Sequence, residues 1–216
     1  MGLFKRKPPS RSDLMAKAGR ARARGRKKKA IAIYRRLLVG TPDDVDIHAK
    51  LAPLLAARKQ RREAAKSFNL AAESYISKGF DVKAIAVYKH AVRYFPTETG
   101  LWLNIARLQI GRHNKAEAVT TLLNGSAHFR KPPLRSREAK LLKAILSVSP
   151  WHPYATIALA KNMLKTSKMN EAIVLLRGLE KRTKGKYLRR ARWALFRTQA
   201  TPANLWRWVR SLIIGR

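Results

Sequence analysis

Cysteine is missing from the sequence altogether, which excludes disulfides, Cys-ligated zinc, iron–sulfur clusters and thiol catalysis, and suits a reducing compartment. Acidic residues are scarce: 12 Asp and Glu stand against 48 Lys and Arg, a formal net charge of +36. A chain that basic repels itself and is drawn to polyanions such as nucleic acid, anionic lipid or acidic protein. No stretch reaches the ~20 apolar residues of a membrane span. The opening Met1-Gly2-Leu3-Phe4-Lys5-Arg6-Lys7 has no apolar core of signal-peptide length. Arg6 stands where myristoylation wants Ser or Thr. The expectation is a soluble, cytoplasmic protein.

Catalytic signatures are equally short. The five histidines, His48, His90, His113, His128 and His152, are dispersed, with no H-E-x-x-H or other metal-ligand spacing. Gly111-Arg112-His113-Asn114-Lys115 lacks the second glycine that a phosphate-cradling loop needs, and no G-x-S-x-G elbow occurs. Asp43, Asp44 and Asp46 cluster just before an apolar helical pattern, where carboxylates cap free N–H groups and offset the positive helix end. The chain therefore reads as a non-enzyme with no metal, no cofactor and no small-molecule substrate.

What the sequence does have is globular composition and an internal repeat. With 216 residues, 46% hydrophobic and 28% charged, it can bury roughly 70% of its unfolded surface in a core. Ala30, Tyr34 and Leu37 are spaced four and three apart, and the spacing returns at Ala64, Phe68, Ala71 and at Ala84, Tyr88, Ala91. Ala118, Leu122, Gly125 and Ala172, Leu176, Leu179 repeat it with weaker aromatics. Ala30 to Ala64 and Ala84 to Ala118 are each 34 residues. A second pattern appears at Trp102, Ile105, Ala106, at Leu51, Ala52, Leu55 and at Leu159, Ala160, Met163.

Together these resemble the tetratricopeptide repeat, whose second helix carries A-x3-F and a small residue before a terminal proline, met here by Pro42 and Pro96. The resemblance implies an all-α, superhelical solenoid of about a dozen antiparallel helices. Helices are expected near 12–24, 27–39, 45–57, 62–78, 81–94, 98–111, 114–128, 134–148, 153–166, 169–181, 186–198 and 202–214. Residues 1–11 read as a flexible basic tail, 12–200 as repeats, and 201–216 as a Trp-containing cap. Two intervals break the period: Ala64 to Ala84 is 20 residues, and Ala118 to Ala172 is 54. Short steps imply that one helix serves two neighbours, at 62–78 and again at 134–148. Gly79 should end the first of these, and Pro53 should kink or shorten its helix.

The same resemblance implies a protein-interaction scaffold that binds its partner in a groove lined by the first helix of each repeat. By register that lining includes Lys50, Asn104, Arg107, Lys161, Lys165 and Arg192. It carries no acid, which suits an acidic segment or a C-terminal carboxylate. The two ends of the chain offer a rival. Residues 1–36 hold 14 Lys and Arg with one acid, and residues 181–216 hold 11 with none. Lys5, Arg6, Lys7, Arg11, Arg207 and Arg210 are the candidates there for sequence-indifferent binding of nucleic acid or the ribosome, or of an anionic membrane. In the last helix Leu205, Val209, Leu212 and Ile213 recur at helical spacing. They, with Trp193 and Trp206, are expected to pack the cap against the preceding repeat, while Trp208 is poised between packing and stacking.

Overall fold

The small residues of the repeat are where the helices touch. A computed structural model describes residues 9–213, and in it Ala30, Ala64, Ala84, Ala118 and Ala172 have no solvent exposure. A methyl side chain lets two helix backbones approach closely, and the next residue of the pattern fills the space beside the contact. Those residues, Tyr34, Phe68, Tyr88, Leu122 and Leu176, are all buried. The described residues form twelve α-helices and no strand, an all-α array of tetratricopeptide-type hairpins.

The chain divides into two units, one ending at Phe95 and the other beginning at Pro96. The first contains α1 (Arg11–Ala23), α2 (Lys27–Gly40), α3 (Val45–Ala57), α4 (Arg61–Ser77) and α5 (Asp81–Tyr94). Each helix packs on the next, and α3 also reaches α5. The second contains α6 (Thr99–Gly111), α7 (Lys115–Ser126), α8 (Arg135–Val148), α9 (Pro153–Leu164), α10 (Met169–Glu180), α11 (Gly185–Thr198) and α12 (Pro202–Ile213). Here too neighbours pack in sequence, with further contacts of α6 on α8 and of α9 on α11. The helices meet the sequence expectation closely. Within this sequence of contacts α4 packs on α3 and α5, and α8 on α7 and α9.

Five hairpins turn in the same way. Gly25, Lys59, Gly79, His113 and Ser167 all take positive φ, between 58° and 73°. The residue after each donates its N–H to a carbonyl five residues back: Arg26 to Ala21, Gln60 to Leu55, Phe80 to Tyr75, Asn114 to Gln109 and Lys168 to Met163, at 2.8–3.0 Å. This is the Schellman closure of a helix end. Each left-handed residue lies five positions before its repeat alanine, so turn and contact share one register. Glycine marks two of the five turns, and the other three hold a side chain in a region that disfavours it.

Two expectations are corrected. Pro53 does not shorten its helix, because α3 runs unbroken to Ala57. Its loss of one backbone bond, about 3 kcal/mol in an exposed helix, is outweighed by burial of Leu51, Ala52, Leu54 and Leu55 around it. The cap is also turned from its expected rotation. Asn204 and Ser211 are buried and Trp208 half-buried, whereas Trp206 is 63% exposed and Ile213 72%. Polar bonds set this: Asn204 Nδ2 donates to the Gln199 carbonyl at 3.0 Å, and Arg192 Nη1 to the Arg207 carbonyl at 3.1 Å. The expected end at Ile214 lies outside the described residues.

The turns give a prediction of opposite signs. Lys59→Gly should stabilise the protein by about 1 kcal/mol by relieving left-handed backbone, and Gly79→Ala should cost about as much. Thermal unfolding of both variants checks it, and a shift in the same direction for the pair contradicts the shared turn.

The helix contacts give another. A Cβ at Gly125 would lie 2.7 Å from Cδ2 of Trp102, an indole held by its own hydrogen bond to the Pro96 carbonyl. Gly125→Ala and Ala84→Leu should each overpack, costing about 1–3 kcal/mol. Gly111→Ala, with open space around it, should be tolerated in the same thermal melts.

Candidate functional site

Helix periodicity builds a cleft in the second unit. On α9, Tyr154, Ile157, Ala158 and Lys161 recur at three- and four-residue steps, with Lys165 following the helix end. On α11, Tyr187, Arg190, Ala194 and Arg197 do the same. Residues so spaced share one helix face. The two faces, with Arg130 and the start of α8, enclose a cavity of about 880 Å³. Ile157, Leu164, Leu176 and Ala194 line its apolar floor, backed by the buried Ala160, Ala172, Ile173 and Leu195. Trp193 forms part of the wall, its ring 4.6 Å from that of Trp208 on α12.

Around this floor stand six cations: Arg130, Arg135, Lys161, Lys165, Arg190 and Arg197. Arg130 donates to the Tyr154 hydroxyl at 2.9 Å, fixing one edge. A single carboxylate enters the lining, that of Glu138, so the expectation of a wall without acid is corrected. Glu138 accepts a 2.9 Å hydrogen bond from Asn162 Nδ2, and the same amide donates to the Arg135 carbonyl at 3.0 Å. Asn162 is buried, so these bonds tie α8 to α9 and hold the cleft walls together. Positive charge over an apolar floor attracts a carboxylate that carries an apolar neighbour.

The residues expected to line one groove fall in both units, and those of the second unit divide between the cavity and its surroundings. Lys161 and Lys165 share the cavity. Asn104, half-buried, and Arg107, exposed, lie on α6 outside its lining, and Lys50 is on α3 of the first unit. Arg192 faces elsewhere: its Nε donates to Glu180 at 2.8 Å and its Nη1 to the Arg207 carbonyl. Arg190, two residues earlier on α11, faces the cleft instead. Arg130, Arg135, Arg190, Arg197, Tyr154 and Tyr187 line the cavity without having been expected in a groove. The alternation of aromatic and basic residues at helical spacing on α9 and α11 was the signal for four of them.

Among the candidates for polyanion binding, Lys5, Arg6 and Lys7 lie outside the described residues. Arg11 is engaged in an ion pair with Asp44. Burial pushes the Asp44 carboxyl up, but the Ile47 N–H and Arg11 outweigh it and hold the group below its ordinary value. Asp44 thus caps α3, as the acidic cluster suggested. Arg207 and Arg210 are exposed on α12. Among the described residues no group of three or more His, Asp or Glu is arranged to hold a metal ion. Three histidines have structural partners. His48 lies between the Pro42 carbonyl and the Ser67 hydroxyl, His128 stacks on Trp102, and His152 caps α9.

No family model matches the chain, and no curated protein matches it. Solved structures do. One of the MamA protein is 15% identical over 89% of this chain and 93% of its own, with a TM-score of 0.29. A tetratricopeptide repeat protein from Parabacteroides merdae is 12% identical over 95% and 93%, with a TM-score of 0.31. The tetratricopeptide domain of P58(IPK) is 13% identical over 88% and 64%, with a TM-score of 0.32. The fold itself is read from this chain's own turns and contacts.

Arg192→Leu separates structure from site. It leaves Glu180 and the Arg207 carbonyl without their donor, so it should cost about 1–3 kcal/mol and lower the thermal midpoint. The affinity of the cleft for an acidic ligand should stay as it was. Unchanged stability with lost affinity would return Arg192 to the binding surface.

Proposed function

We propose that this chain is a non-catalytic interaction scaffold whose second unit holds an acidic segment of a protein partner in the cleft between α8, α9 and α11. The observation that carries the reading is the ring of six cations around an apolar floor of Ile157, Leu164 and Leu176. Carboxylates of the partner pair with the arginine forks, which match their planar geometry. An aliphatic or aromatic side chain between them enters the floor, where removal of its surface from water supplies affinity. Tyr154, Tyr187 and Trp193 add flat faces against which such an anchor packs. The segment is defined by chemistry, acids flanking one large apolar residue. The excess of cations also speeds encounter with it and repels basic competitors.

The test is titration of fluorescent peptides in which Glu residues flank a central Leu or Phe, against the whole chain. Lys161→Glu combined with Arg190→Glu reverses two exposed rim charges. It should weaken binding by at least about a hundredfold, given roughly 1.5–3 kcal/mol for each charge-assisted contact, and leave the helical circular dichroism unchanged. Replacing the central residue with Gly should weaken it about tenfold or more. Equal binding of a Lys-flanked peptide, or full affinity in the doubly reversed protein, would remove the cleft as the site. Duplex RNA or DNA that competes with equal force in both proteins would move the polyanion role to the ends of the chain.

A further inference from the structure

We propose that α12 is an interfacial helix that seats the protein on an anionic lipid surface, a role separate from the peptide cleft. The packing of α12 is inverted. Against α11 this helix turns Asn204 and Ser211, which are buried, and Trp208, which is half-buried. Outward it shows Leu205, 40% exposed, Trp206, 63%, Leu212, 47%, and Ile213, 72%, with Val209 half-buried between them. At 100° per residue these five span a sector of about 120°, the width of an ordinary core-facing stripe. Helices of a packed array bury such a stripe, and α12 leaves it in water.

The rotation is held in place. Asn204 Nδ2 donates to the Gln199 carbonyl at the end of α11, and the Thr201 hydroxyl accepts from the Asn204 N–H at 3.3 Å. Arg192 binds the Arg207 carbonyl from the other side. Rolling α12 to bury the stripe would break these bonds and expose Trp208, whose ring lies 4.6 Å from that of Trp193.

Charge says what the stripe meets. Residues 181–216 carry 11 Lys and Arg and no acid, and Glu180, just before them, is taken up by Arg192. Arg210 and Arg207 follow Trp206 around the helix, at one edge of the stripe, and both are exposed. The layering is therefore apolar side chains, an indole at the boundary, then guanidinium groups. That order suits a helix lying in the headgroup plane, with leucine and isoleucine among acyl chains and arginine at phosphate level. A second copy of this chain would bring two arginine-rich faces together against strong repulsion. An acidic peptide is better served by the cleft, since α12 offers one helix face and no slot between helices.

Co-sedimentation with vesicles tests the proposal, using the full chain. Phosphatidylcholine vesicles with about a third phosphatidylserine should bind the protein, and pure phosphatidylcholine vesicles should bind it far less. Trp206→Ser combined with Ile213→Ser changes two exposed side chains, so circular dichroism should be unaltered. It should cut partitioning by about tenfold or more. Arg207→Gln with Arg210→Gln should also weaken partitioning and reduce its dependence on salt. Acidic peptide binding should be the same in both variants, which keeps this result distinct from the fate of the cleft. Anionic vesicles that bind the Trp206→Ser, Ile213→Ser protein as well as the wild type would overturn the proposal, as would no binding at all. So would a wild-type dimer without lipid that this double substitution dissolves, since the stripe would then cover itself.

Discussion

Close approach of helices at a fully buried alanine is the contact on which the rest of this structure depends. Ala30, Ala64, Ala84, Ala118 and Ala172 each sit five residues after a left-handed turn. The turn reverses the chain, and the alanine lets the reversed helix lie close enough to exclude water. Because the two features are tied at a fixed distance, a 20-residue step can replace a 34-residue one without loss of register. Irregular spacing is thus compatible with regular packing.

The charge of the chain acts against this contact. A formal +36 favours expansion, so the apolar core must hold together surfaces that repel one another. Three of the carboxylates are used at joints. Asp44 caps α3 and pairs with Arg11, Glu180 receives Arg192, and Glu138 with Asn162 ties α8 to α9. With one acid in the cleft lining, itself bound by Asn162, and none in residues 181–216, the cleft wall and the outer face of α12 keep an excess of cations. Function follows from the imbalance: one surface gathers positive charge around a pocket, and another sets it beside an apolar stripe.

How much of this was legible in the sequence depends on which force decided each element. The alanine spacing, the helices at 62–78 and 134–148 and the Asp44 cap were readable, because periodicity and capping chemistry act locally. The turns at Lys59, His113 and Ser167 carry no glycine and gave no sign of positive φ. Pro53 does not end α3, because burial of its neighbours overrides its local cost. The rotation of α12 was misread for a different reason. Its hydrophobic pattern favoured Leu205, Val209, Leu212 and Ile213 as the packed face, but hydrogen bonds from Asn204 and Arg192 fixed the opposite one. On α11 the choice between Arg190 and Arg192, two residues apart and on different faces, needed the position of Glu180 across the hairpin.

The central claim is that an acidic ligand is read by one face of the second unit. Amide hydrogen exchange of the full chain, with and without a Glu-flanked Leu peptide, tests it most directly. Slowed exchange is expected in α9 and α11 and at the start of α8, with α2 through α4 unchanged. Protection centred on α3, or spread along the basic ends with none in α9, would contradict it.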